Sequence, residues 1–322
     1  MISPDFLDYT RPNTHHCLMR KKGRAQVMSK ANSNPLDAEA QNTGTRRRFS
    51  GGGMRLSDTE AAEMRRRLIK PMKSEPDLER APDTWDRLGS IPVKEAHLEE
   101  HRVISASRHN PAHVAFDVLR TRLVQGLAEK GWRRVVITSP TKDCGKTFIS
   151  TNLAISLSRQ ERLRTVLMDL DLRNPSVAPL LGVEDPGTMG DFLRGNVPVS
   201  SQFKRMGQNM LKIGSNVAFG LNDTREPFAS EMLGSAATSD AIQQMEAELA
   251  PDVVIYDMPP ALYHDDVMAF REHYDGVLLV VGGGTTKANE VRELKRRFGE
   301  DKPLLGVILN KAEGLSISHY SY

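Results

Sequence analysis

The chain has 322 residues, 39% hydrophobic and 6% aromatic, with 44 Lys and Arg against 41 Asp and Glu for a net charge of +3. No run approaches roughly 18 consecutive apolar residues, which excludes a membrane-spanning helix, and two cysteines, Cys17 and Cys144, exclude a disulfide framework or a four-thiolate zinc site. The opening residues lack the apolar core of a secretory signal, so a cytoplasmic protein is expected.

Charge is uneven along the chain. Residues 1–80 hold 16 Lys and Arg against 10 Asp and Glu, and the remainder holds 28 against 31. Arg46-Arg47-Arg48, Gly51-Gly52-Gly53 and Ser/Asn/Thr-rich stretches carry few large apolar side chains, so residues 1–104 are expected to be a mostly disordered basic extension. One short helix is expected near 57–69. The arm is read as solvated rather than as a nucleic-acid binder, with an anionic membrane surface as its other possible contact. His15-His16-Cys17 lacks the further ligands that a metal site needs.

From about residue 105 the pattern changes. Asn110-Pro111 signals a helix start, and Phe116, Leu119, Leu123 and Leu127 follow at helical spacing. Continuous apolar strands are predicted at 134–138, 165–169, 210–213, 252–257, 276–281 and 304–309. Helices are predicted at 146–160, 188–194, 228–249, 265–273 and 286–299. Strands of this kind are buried on both faces, so the fold class is α/β: a doubly wound, mainly parallel sheet of P-loop NTPase type, binding its ligand at the carboxyl ends of the strands.

The first strand runs into Thr138-Ser139-Pro140-Thr141-Lys142-Asp143-Cys144-Gly145-Lys146-Thr147, with a helix predicted next. In such a phosphate loop, backbone N–H groups and the helix N-terminus face the phosphates, Lys146 reaches the β/γ-phosphates and the Thr147 hydroxyl ligates Mg²⁺. Thr-Lys-Asp-Cys stands where the usual loop has glycine. Asp143 tolerates left-handed backbone better than most residues but brings a carboxylate toward a polyphosphate. Cys144 is read as a small loop filler. The second strand ends Asp169-Leu170-Asp171, two carboxylates on one face that call for a cation or for proton transfer. The strand ending at Asp257 has the Walker B pattern, in which the carboxylate organises the Mg²⁺ shell.

Together, TSPTKDCGKT followed by NLA, VLMDLDLRNPSV, GDFLRGN, DVVIYDMPP, DGVLLVV and GVILNK resemble the bacterial tyrosine kinases of capsule and exopolysaccharide synthesis, which share the fold of the Min/Par partition ATPases. The resemblance implies a P-loop kinase-like domain at 105–317, binding ATP and Mg²⁺, and a short tyrosine tail at 318–322. It further implies that Thr141, Lys142, Asp143, Cys144, Gly145, Lys146 and Thr147 cradle the nucleotide, that Asn310 lies near the adenine, and that Thr147, Asp171 and Asp257 serve the metal. Asp169 is implied as the base for a tyrosine hydroxyl, beside Asp171 and Lys146. Tyr320 and Tyr322 are implied as phosphoacceptors, whereas Tyr256, Tyr263 and Tyr274 are read as structural. The implied activity is ATP-dependent tyrosine autophosphorylation, activated by a membrane polysaccharide chain-length regulator (a co-polymerase) that recruits the protein to the inner face of the cell membrane. A homo-oligomer is the family's habit, but its helix motif Glu-x-x-Arg-x-x-Arg here reads Val114-x-x-Asp117-x-x-Arg120. The alternatives are a partition-type ATPase, whose signature lysine position holds Thr141, and a weakly nucleotide-binding scaffold of polysaccharide export.

Overall fold

In the computed structural model, which describes residues 84–106, 110 and 112–312, eight strands form one sheet: β1 (Gly89–Ile91), β2 (Arg134–Thr138), β3 (Thr165–Asp169), β4 (Phe203–Met206), β5 (Val217–Gly220), β6 (Val253–Asp257), β7 (Gly276–Gly282) and β8 (Leu304–Asn310). Their order is β1-β4-β5-β3-β6-β2-β7-β8, and every pair is parallel except β4 with β5. Eleven α-helices accompany them among the described residues: α1 (Thr84–Arg87), α2 (Glu95–Glu100), α3 (His113–Lys130), α4 (Lys146–Leu157), α5 (Val177–Leu181), α6 (Met189–Leu193), α7 (Val199–Gln202), α8 (Ala229–Leu233), α9 (Ala236–Leu249), α10 (Asp266–Ala269) and α11 (Ala288–Phe298).

The apolar runs account for the sheet. Every residue of β3 and of β6 is buried, because helices cover both faces. Two apolar clusters result. One joins Val136, Val166, Val254 and Leu279 to α9 and α11, and the other joins Ile137, Leu167, Ile255 and Val280 to α3 and α4. Phe116, Leu119, Leu123 and Leu127 all point inward from α3, and the Asn110 side chain accepts the Ala112 N–H at 3.0 Å ahead of it. The neighbouring β2, β3 and β6 run parallel, so Thr138, Asp169 and Asp257 end at the same edge.

Three expectations are corrected. Residues 210–213 form no strand: β4 and β5 flank them instead, and Met210 is almost fully exposed. The segment 228–249 is broken at Gly234, and Ser235 restarts it by accepting the Thr238 N–H at 3.2 Å. Structure also begins before residue 105. Residues 84–104, assigned by composition to the polar extension, add α1, β1 and α2 and bury Trp85, Leu88, Ile91, Leu98 and Val103. The expected helix at 57–69 lies outside the described residues, as do His15, His16 and Cys17.

Trp85 holds this added layer down. It is 4% exposed, its indole N–H donates to the Ser215 carbonyl at 3.0 Å, and the Arg164 guanidinium lies over its ring. Trp85→Ala should cost about 3–5 kcal/mol in urea unfolding; a loss below about 1 kcal/mol would show that the layer is dispensable.

Candidate nucleotide-binding site

β2 delivers the chain into the loop that ends in Gly145, whose φ of 88° makes it the left-handed N-cap of α4. A Cβ there would come within 2.2 Å of the Asn310 amide nitrogen, so both the conformation and the space require glycine. Asp143, at φ 62°, takes the other left-handed position and is exposed. It does so without glycine because a short polar side chain lowers the penalty. Asn310, at the end of β8, donates to the Cys144 carbonyl at 2.9 Å. Its amide thus braces the phosphate loop from the side. Cys144 is buried, with its thiol against the Thr141 carbonyl and the Thr286 hydroxyl, and acts as a filler. The strand-end loop after β6 is tied to the same start: the Thr138 hydroxyl donates to the Pro259 carbonyl at 2.6 Å and Ala261 N–H to the Ser139 carbonyl at 2.9 Å.

Lys146 and the three carboxylates form one charge cluster. The Lys146 ammonium donates to Asp171 Oδ2 at 2.6 Å. Burial favours the neutral amine, but Asp257, Asp171 and Asp169 together outweigh it and hold the lysine pKa above its usual value. Asp169 is fully buried. Its Oδ2 accepts the Ser176 and Val177 N–H groups at 2.9 Å each, and its Oδ1 accepts the Asp171 N–H at 3.3 Å. Burial, then the charge of Asp257, pushes the Asp169 carboxyl up to about 8 despite those backbone donors. Asp257 is also fully buried, and no donor reaches either oxygen in good hydrogen-bond geometry. Burial pushes it up to about 6, against Lys146 and the nearby hydroxyls of Thr147 and Ser150, which pull it down.

An open cavity of about 370 Å³ lies over this cluster, walled by Lys142, Asp143, Lys146, Asp171, Arg173, Asn174, Arg225, Pro259, Pro260 and His264. Lys146 and Asp171 therefore face it, as do Lys142 and Asp143. Asp169, Asp257 and Asn310 are buried and do not line it. Tyr263, read as structural, is instead 55% exposed, with the Lys142 ammonium 5.7 Å from its ring, whereas Tyr256 and Tyr274 are buried. Tyr320 and Tyr322 lie outside the described residues.

The donor set fits Mg²⁺. Two unpartnered carboxylate oxygens on Asp257 stand near the Thr147 hydroxyl, and Asp171 is within reach of the cavity, all hard oxygen ligands. Among the described residues no three acidic, His or Cys side chains form a complete cage. A cation would therefore finish its shell with phosphate oxygens and water, as Mg²⁺ does in nucleotide sites. Ser176, unremarked as a site residue in the sequence, donates its hydroxyl to Thr147 Oγ1 at 3.0 Å. Arg173, quoted in the motif but given no role, forks onto fully buried Asp266 at 2.8 and 2.9 Å. Asp266 carried no signal, because its partner is remote in sequence.

Residues 135–320 match the CobQ/CobB/MinD/ParA nucleotide binding domain. The chain belongs to this family. The similar proteins include tyrosine kinases and a polysaccharide biosynthesis transport protein. The chain is 26% identical over 208 residues to the tyrosine-protein kinase YwqD of Bacillus subtilis, covering 64% of this chain and 84% of that one. It is 30% identical over 202 residues to the succinoglycan biosynthesis transport protein ExoP of Rhizobium meliloti, covering 61% of this chain but only 24% of that one. The kinase domain of the Escherichia coli tyrosine kinase ETK superposes with a TM-score of 0.58 at 25% identity, over 76% of this chain and 99% of that domain. This nucleotide-binding domain thus has the fold of the bacterial tyrosine kinase domains.

Two outcomes are expected. Between pH 3.8 and about 6 the folded chain keeps on Asp257 a proton that the unfolded chain has released, so this group makes stability fall as pH rises and its full penalty stands above about 6. Asp257→Asn should therefore raise the Tm at pH 7.5 by about 3–6 °C while weakening Mg²⁺-dependent nucleotide binding; a lowered Tm would contradict the crowding of these charges. Asp143→Gly removes a left-handed non-glycine residue and a carboxylate, so nucleotide affinity measured by calorimetry should rise about three- to tenfold.

Proposed function

We propose that this chain is an ATP-dependent protein-tyrosine autokinase that regulates the polymerisation and export of an exopolysaccharide. The observation that carries the reading is the convergence of the loop lysine and three acidic strand-end residues on one cavity: Lys146 and Asp171 on its wall, Asp169 and Asp257 buried near Lys146. Lys146 would exchange Asp171 for the β/γ-phosphates of ATP. That exchange releases the Asp171 carboxylate at the cavity wall, where it would orient and accept the proton of a tyrosine hydroxyl. Asp169, implied by the resemblance as the base, is spent on the Ser176 and Val177 N–H groups and is better suited to fixing the loop that carries Asp171. Thr147 and Asp257 would hold Mg²⁺, with Asp171 assisting through its water shell, and the ion when bound offsets charge on the phosphate oxygens.

Tyr320 and Tyr322 are the proposed acceptors. A membrane co-polymerase is the proposed activator, and the name of ExoP, a succinoglycan biosynthesis transport protein, supports the link to polysaccharide export. Among the described residues no helix is long and apolar enough to cross a membrane, so recruitment to the membrane would run through that partner or the basic arm. Assembly by the family's helix motif has less support. Arg120 is engaged within its own chain, to Asp117 at 2.7 Å and to the Ser156 carbonyl at 3.0 Å.

The reading is tested by incubating the protein with Mg²⁺-ATP and a co-polymerase tail, then mapping phosphate by mass spectrometry. Lys146→Ala should lower tail phosphorylation by about a hundredfold or more, and Tyr320→Phe with Tyr322→Phe should remove it while ATP turnover persists. ATP turnover with an unmodified wild-type tail would point instead to a partition-type ATPase.

A further inference from the structure

Among the charged groups of the cavity wall that the mechanism above leaves without a task, Arg173 is the one paired with a fully buried carboxylate. Its Nε donates to Asp266 Oδ2 at 2.8 Å, and its Nη2 donates to Asp266 Oδ1 at 2.9 Å and to the Ser230 hydroxyl at 3.2 Å. Asp266 is 0% exposed and gives both of its oxygens to this fork, whereas the arginine side chain remains 28% exposed. A buried ion pair of this kind adds little net stability, since desolvation offsets the attraction. Its consequence is geometric. The guanidinium is planar, so fixing two of its nitrogens fixes the third. That third nitrogen, Nη1, carries two N–H donors with no protein partner among the described residues, on a side chain that lines the cavity.

Two of the wall's cations, Lys146 and Arg173, are held in different states. Lys146 is engaged by Asp171 and must exchange partners to serve a ligand. Arg173 is already immobilised, by one residue of α8 and one of α10, with donors to spare. An immobilised guanidinium with two open N–H groups suits oxygens of a phosphate, which it can bind without reorganising. We propose that Arg173 is a phosphate-binding residue of this site, contacting the terminal phosphate of a nucleoside triphosphate, and that Asp266 and Ser230 are its positioning residues. This rests on the nucleotide reading above and extends it, by assigning recognition of the third phosphate to a cation of the same chain. The same chemistry would suit the phosphate of a phosphotyrosine product, so the test separates the two sources.

The experiment is calorimetric titration of the full chain with Mg²⁺-ADP, with the Mg²⁺ complex of non-hydrolysable β,γ-imido-ATP, and with phosphotyrosine. Arg173→Lys still neutralises Asp266, so the fold is kept, but it loses the open donors. It should bind the triphosphate about tenfold more weakly with ADP affinity changed less than twofold. Asp266→Asn, which frees the guanidinium to wander, should give the same selective loss at about threefold, and a circular dichroism melt checks that both variants are folded. An unchanged ratio of triphosphate to diphosphate affinity in Arg173→Lys would overturn the assignment. So would an equal loss for both nucleotides, or a loss confined to phosphotyrosine. A wild-type chain that binds neither nucleotide would instead overturn the nucleotide reading itself, and the assignment with it.

Discussion

Two fully buried carboxylates, Asp169 and Asp257, share their surroundings with a third, Asp171, and with one lysine. Like charges at this depth resist ionisation, which is why burial and mutual repulsion raise both buried groups. The backbone donors at Ser176 and Val177 relieve Asp169 in part, and Lys146 relieves Asp257 in part. Neither relief is complete, and the cluster stays short of positive charge. A divalent cation supplies what is missing, so the fold spends stability on a site that favours the metal complex of an anionic ligand.

The sheet makes this crowding unavoidable. β3, β6 and β2 are parallel neighbours in register, so the residues at their carboxyl ends come together however the intervening helices run. The loop between β2 and α4 is closed by Asn310 on one side and by the strand-end segment after Asp257 on the other. Its shape is thus fixed by these neighbours together with its single glycine, Gly145. That accounts for how Asp143 can stand at a left-handed position, and the cost falls on the affinity for phosphate rather than on the fold.

Much of this was legible in the sequence because it is local. Continuous Val/Ile/Leu runs announced buried parallel strands, Gly-Lys-Thr before a helix announced the loop, and an Asp closing two of the apolar strands announced the acidic edge. Resemblance supplied the roles of those residues. What was not legible depended on partners distant in the chain. The fork of Arg173 on Asp266, the hydroxyl of Ser176 on Thr147, and the pairing of β1 with β4 all join segments far apart in sequence. Composition hid the layer from Thr84 to Val103, since its buried residues are scattered among charged ones. The expected strand at 210–213 failed for the opposite reason: four residues rich in apolar side chains lie in a turn, with Met210 facing solvent.

The central claim is that Asp169, raised by burial and by the charge of Asp257, keeps its proton until a cation arrives. Calorimetric binding of Mg²⁺-ADP at pH 7, repeated in two buffers of different ionisation enthalpy, measures the protons exchanged. With Asp169 raised to about 8, binding should release a substantial fraction of one proton per site, because a cation lowers the carboxyl pKa. The release should shrink as the pH is raised toward 9. Proton uptake, or a binding heat independent of the buffer, would mean that the carboxylates are already ionised and would contradict the account.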